Sequence, residues 1–159
     1  MDKQTIKARL EDHLTMLTRT IGERSVRFPD NIEKTAAYLQ TQFEKYGLAV
    51  RRQTYPYKTH RVSNIVGSLQ PVVNPRRHYV LGAHYDSVSG TVGADDNASA
   101  VAVMLETARA MQKTASDGKN ALRLTFVAFA LEEPPVYGTR YMGSRVFATQ
   151  AKAENETID

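Results

Sequence analysis

Apolar positions recur along the start of the chain with a helical period. Ile6, Leu10, Leu14, Leu17 and Ile21 form one stripe behind Asp2, and Gly22 ends it. A second stripe, Ile32, Ala36, Leu39, Phe43 and Tyr46, stops at Gly47, which suits a left-handed helix end. Asp30 and Glu33 have capping-box spacing at its start. The period then shortens. Residues 48–55 read as a strand with a charged face, near a sheet edge. Residues 64–69 and 78–83 are further strands, separated by the turn-rich QPVVNPRR. Between 97 and 113 the helical period returns, with Ala98, Val101, Ala102, Leu105, Ala108 and Met111 on the buried side. Residues 122–131 are almost continuously apolar, the mark of an inner strand covered on both faces. Residues 141–151 read as a last helix.

Helices alternating with buried strands predict an α/β fold. The expected architecture is a three-layer α/β/α sandwich around a mixed, largely parallel sheet. One domain should span residues 1–159. Its polar ending, AKAENETID, looks like an element cut short, so the domain is expected to be incomplete at its C-terminus.

Composition narrows the chemistry. There is no cysteine, so disulfides and thiolate ligands are excluded, and His, Asp and Glu are left as metal ligands. The formal net charge is +4, but the basic residues are scattered. The pairs Arg51-Arg52 and Arg76-Arg77 read as solvated strand ends rather than a nucleic-acid surface. No apolar run is long enough for a membrane span, and no signal peptide is visible. A native N-terminus would make the protein cytoplasmic; an exported protein lacking its leader would look the same.

Charge is concentrated where burial is expected. The strand ending in LGAHYDSV delivers His84 and Asp86, and GADDNASA delivers Asp95 and Asp96. The inner strand ends in Glu132-Glu133. Functional groups in open α/β sheets collect beyond the carboxyl ends of strands. One imidazole and several carboxylates, with no arginine expected beside them, require neutralisation, which a divalent metal supplies. A lone His84 would read as a structural histidine; six such groups at strand ends do not. Asp86 is spaced to take the second N–H of the His84 ring. Asp96 and Asn97 also stand where a helix N-cap belongs. Met104 and Met111 read as core, and Tyr55, Tyr57 and His60 as a solvated hairpin.

GAHYDSV, GADDNASAVAVMLETAR and FVAFALEEPPVYGTRYMGS resemble the zinc aminopeptidases of peptidase family M28 over roughly residues 60–150. The resemblance implies that His84 binds one zinc, Asp95 bridges two and Glu133 binds the other. It makes Glu132 the general base and places Asp86 and Asp96 behind the ligands. The family often has a cis peptide where Asp96 follows Asp95. It implies a peptide substrate and hydrolysis at the N-terminus. The family's later carboxylate and last histidine have no counterpart after Glu133. Two zinc ions are therefore expected in a complete domain, and one or none in this chain, which alone is expected to be inactive. An uncovered sheet edge is expected to favour self-association, with His13 or His60 of a second copy as donors. Two other readings remain: a single-zinc acyltransferase like glutaminyl cyclase, and a non-catalytic interaction module. The doubled Asp-Asp and Glu-Glu favour the peptidase.

Overall fold

A computed structural model describes residues 2–69, 77–115 and 122–159. The loop expected at QPVVNPRR, up to Arg76, lies outside the described residues. The chain opens with helix α1, Lys3–Thr15. The Asp2 carboxylate accepts from the Gln4 and Thr5 amides and caps it. The same stripe continues through a π-helical turn, Met16–Ile21, and stops at Gly22 (φ 87°). Helix α2, Pro29–Lys45, buries Ile32, Ala36, Leu39 and Phe43 as its period requires. The expected capping box is absent. Pro29 sets the first helical position, where its missing N–H is no loss. Glu33 is thereby freed to pair with Arg52 at 2.6 Å.

Strands β1, Ala49–Tyr57, and β2, His60–Leu69, form a hairpin around Lys58-Thr59, with Lys58 at φ 52°. Strand β3 spans Arg77–His84 and β4 Leu122–Phe129. The sheet order is β1-β2-β4-β3. Strand β4 is therefore an inner strand, as its apolar run predicts, and β1 is an edge. The sheet is mixed but not largely parallel. β3 and β4 are parallel, whereas β1 with β2 and β2 with β4 are antiparallel. A two-residue turn can only join antiparallel strands.

Residues that alternate along the strands divide the core. Ile65, Phe126 and Ala128 pack with α1, α2 and helix α3, Ala100–Ala115, on one face. Val66 and Val127 pack with Phe147 of helix α4, Gly143–Ala153, on the other. This is the three-layer sandwich expected. The buried Asn64 amide binds the two halves at the end of β4. It donates to Gln53 Oε1 and to the Gly143 carbonyl, and accepts from the Ala130 amide.

Candidate metal centre

Parallel pairing places the carboxyl ends of β3 and β4 side by side, with His84 opposite Phe129. The Tyr85 amide donates to the Phe129 carbonyl at 2.9 Å, carrying this register past the strand end. Three and four residues beyond Phe129 come Glu132 and Glu133. One ligand atom from each of His84, Glu132 and Glu133 lies within 4.8 Å of the others. Asp86, 2% exposed, organises this end. Its two oxygens accept from the amides of Glu132 and Glu133, each at 3.0 Å. The same carboxylate stands 3.5 Å from His84 Nδ1, behind the ring. Nδ1 is buried and has no hydrogen bond of good geometry. His84 Nε2 faces outward, 3.0 Å from Asp96 Oδ1 and 3.8 Å from Glu132 Oε2.

The two adjacent aspartates divide differently from the roles the resemblance implies. Asp96, not Asp95, stands at His84. Both aspartates are exposed, and the Asp95 carbonyl serves the Ser99 hydroxyl. The backbone is non-helical at Asp96 (φ −108°, ψ 94°), so the neighbouring side chains diverge. The cis peptide is Asp96–Asn97, one bond later than expected. Neither Asp96 nor Asn97 caps a helix by its side chain; Gly93 precedes the Ala94–Ser99 turn that leads into α3.

The site's electrostatics follow from this packing. Burial pushes the His84 pKa down, but Asp86, Glu132 and Asp96 outweigh it and carry it to about 9. The Glu133 carboxyl is pushed up by burial and by the like charges of Asp96, Asp86 and Glu132, against the pull of His84. A cation placed among these groups would relieve both effects. Around a tetrahedral zinc, ligand atoms stand about 3.3–3.4 Å apart. The 3.0 Å separation of His84 Nε2 and Asp96 Oδ1 is close to that value, while Glu132 Oε2 stands further off at 3.8 Å. One imidazole nitrogen with carboxylate oxygens is a zinc donor set, and Asp86 behind Nδ1 is the usual support for such a ligand. The residues present fit the ion.

Two findings were not foreseen. Arg24, wholly buried, lies against the loop between His84 and Asp96, where no arginine was expected. It sits in an aperiodic stretch, ERSVRF, which gives no cue to burial. Second, His13 and His78 are engaged elsewhere. His13 is buried against Tyr38 and Tyr46, which removes it as a ligand for another copy. His78 binds Thr125 Oγ1. His60 is exposed at the hairpin.

The model of peptidase family M28 matches residues 64–159. This chain belongs to peptidase family M28. Among its relatives is the protein YfbL of Escherichia coli (strain K12), 38% identical over 147 residues, covering 87% of this chain and 44% of that one. The aminopeptidase YwaD of Bacillus subtilis is 40% identical over 80 residues, covering 49% of this chain and 16% of that one. The chain spans less than half the length of these curated relatives. The glutaminyl cyclase of Macrostomum lignano superposes with a TM-score of 0.71 at 28% identity, over 98% of this chain and 50% of that one. BSAP, a zinc aminopeptidase from Bacillus subtilis, superposes with a TM-score of 0.68 at 15% identity, over 79% and 61%. That last likeness is one of fold.

Proposed function

We propose that this protein is a zinc-dependent aminopeptidase, hydrolysing the N-terminal peptide bond of its substrate. The carrying observation is the convergence of His84, Glu132 and Glu133 beyond two parallel strands, with Asp96 at His84 Nε2. In this reading His84, Asp96 and Glu133 hold the metal. When bound, zinc supplies a Lewis acid and lowers the pKa of water at neutral pH. Glu132 takes the proton of the attacking water on a carboxylate oxygen and passes it to the leaving amine. Asp86 holds both glutamate amides and backs the His84 ring, so the base and the ligands keep a common frame. The remaining acidic charge would receive the substrate's free α-ammonium group. The single histidine of this cluster suits one ion.

The test separates base from ligand. In the whole protein, Glu132→Gln should retain zinc and lose turnover of an aminoacyl-anilide by about 10²–10⁴-fold. Glu133→Ala should instead release zinc, read by metal analysis after dialysis. Equal metal loss in both would end the distinction. The superposition on glutaminyl cyclase favours a second reading, cyclisation of N-terminal glutamine. A glutaminyl peptide discriminates the two: the peptidase frees glutamine, whereas the cyclase frees ammonia and leaves the chain length unchanged.

A further inference from the structure

Arg24 is the largest fully buried side chain among the described residues. Its charge is met by carbonyls. Nε donates to Tyr85 O at 2.7 Å, Nη1 to Leu17 O, Gly22 O and Val92 O at 2.8–2.9 Å, and Nη2 to Gly93 O at 3.1 Å. Its backbone adds two bonds to Ser87, from Arg24 N to Oγ and from Ser87 N to Arg24 O. The acceptors form two groups. Leu17 and Gly22 belong to the end of the first helical stripe, which serves as the anchor. Tyr85, Val92 and Gly93 belong to the loop running from His84 to Asp96.

Arg24 therefore grips both ends of one loop. Tyr85 lies at the exit of β3, between His84 and Asp86. Gly93, at φ 51°, lies at the entry to the turn carrying Asp96. Gly93 transmits the grip closely. A Cβ there would stand 2.4 Å from Asp96 O, 2.6 Å from Ser87 Cβ and 3.2 Å from Arg24 Nη2. Gly93 O also accepts from the Ala98 amide, tying the turn to the same point. A guanidinium reaches so many acceptors because its donors fan out in a plane; an ammonium offers a single point.

We propose that Arg24 is a positioning residue of the metal centre, setting the separation of His84 and Asp96 by clamping the two ends of the loop between them. This rests on the reading of that cluster as a metal site. The clamp supplies what the short strand ends cannot: a fixed distance between ligands that are twelve residues apart. Its permanent charge also interacts with the Asp86 carboxylate.

The test uses the full chain, zinc and cobalt alone as probes, and Arg24→Lys, which keeps the charge and loses the fork. Amide exchange at Tyr85, Ser87 and Ala98 should accelerate at least tenfold, while amides of α2 and β2 keep their protection. Zinc affinity, by chelator competition, should fall about 10–100-fold, as for other residues that orient metal ligands. The visible cobalt band should shift, which a loss of stability alone would not cause. Uniformly faster exchange, or unchanged exchange, would overturn the proposal. So would unchanged zinc affinity with an unchanged cobalt band. Should Arg24→Lys not fold, Ser87→Ala decides. It should weaken zinc several-fold and loosen the same three amides, and unchanged values would overturn the clamp. A wild-type chain that binds neither ion would defeat the metal reading, while the exchange measurement would still judge the clamp.

Discussion

Asp95 and Asp96 have the same chemistry, and backbone geometry alone separates them. Asp96→Asn should weaken zinc binding at least tenfold, whereas Asp95→Asn should change it less than twofold, since only Asp96 reaches His84. Competition with a chromophoric chelator measures both. His84 adds a dependence on pH. Its folded pKa is raised from 6.5 to about 9, so the fold favours the charged ring. Its contribution to stability is therefore fully present below pH 6.5 and lost as pH rises through about 9. Chelator-treated protein should melt lower at pH 9.5 than at pH 6.5 on this account. A ligating ring must be neutral, so zinc binding at pH 7 should release a proton, and affinity should climb until about pH 9. Calorimetry in buffers of different ionisation enthalpy reads the proton directly. His13 and His78 act in the opposite sense. Burial lowers both, so their contribution is lost as pH falls below 6.5. At this scale the sequence made the cluster legible, because His84, Asp86, Glu132 and Glu133 interrupt runs that should be buried. It could not say which aspartate stands at His84, because residue type is identical at 95 and 96. Arg24 was invisible because its partners are backbone carbonyls, which carry no residue signature.

At the scale of elements, the site exists because β3 and β4 are parallel neighbours. The inner strand was legible from its nearly continuous apolar run, and the helices from their stripes, which the structure buries in α2 but only in part in α1, where Ile6 and Leu10 stay half-exposed. Strand direction was not legible. The β1–β2 turn, Lys58-Thr59, lacks the usual glycine, and the β2–β4 pairing is a long-range choice with no local signal. The helix starts were misread where Pro29 outranked a capping box and where the Ala94–Ser99 turn delays α3. The start of α4 shows how tightly elements are joined. A Cβ on Gly143 would stand 2.3 Å from both Ala130 O and Asn64 Oδ1. Gly143→Ala should therefore destabilise the fold by about 1–3 kcal/mol, the usual cost of overpacking. Urea denaturation followed by circular dichroism checks it. A cost near zero would mean that α4 shifts freely against β4, and the hub at Asn64 would then lose its assigned role.

The whole molecule presents one side that differs from the rest. Strand β3 ends the sheet among the described residues, and its outer edge has only a brief covering. Asp159 donates its amide to His78 O and accepts the His78 N–H on its carboxylate, at the start of the strand. Beyond that point Tyr79 is 37% exposed and Leu81 44%, and Val103 on α3 reaches 55%. Val103 is shared by two shallow grooves, one of about 340 Å³ with Leu81 and Met104, the other of about 270 Å³ with Ile6 and Leu10. An edge strand beside an apolar surface is a template for pairing with another chain. A second copy of the chain would match both features at once, because its own β3 offers the matching row of amides and carbonyls. The chain should therefore associate with itself reversibly as its concentration rises. Val103→Glu places a charge where the grooves meet, on an exposed helical position that bears little on the core. It should shift the population to monomer and leave the melting temperature nearly unchanged. Sedimentation velocity at several concentrations decides the matter. A wild-type chain that stays monomeric throughout, or a Val103→Glu variant that associates as strongly, would show that this face is not where copies meet.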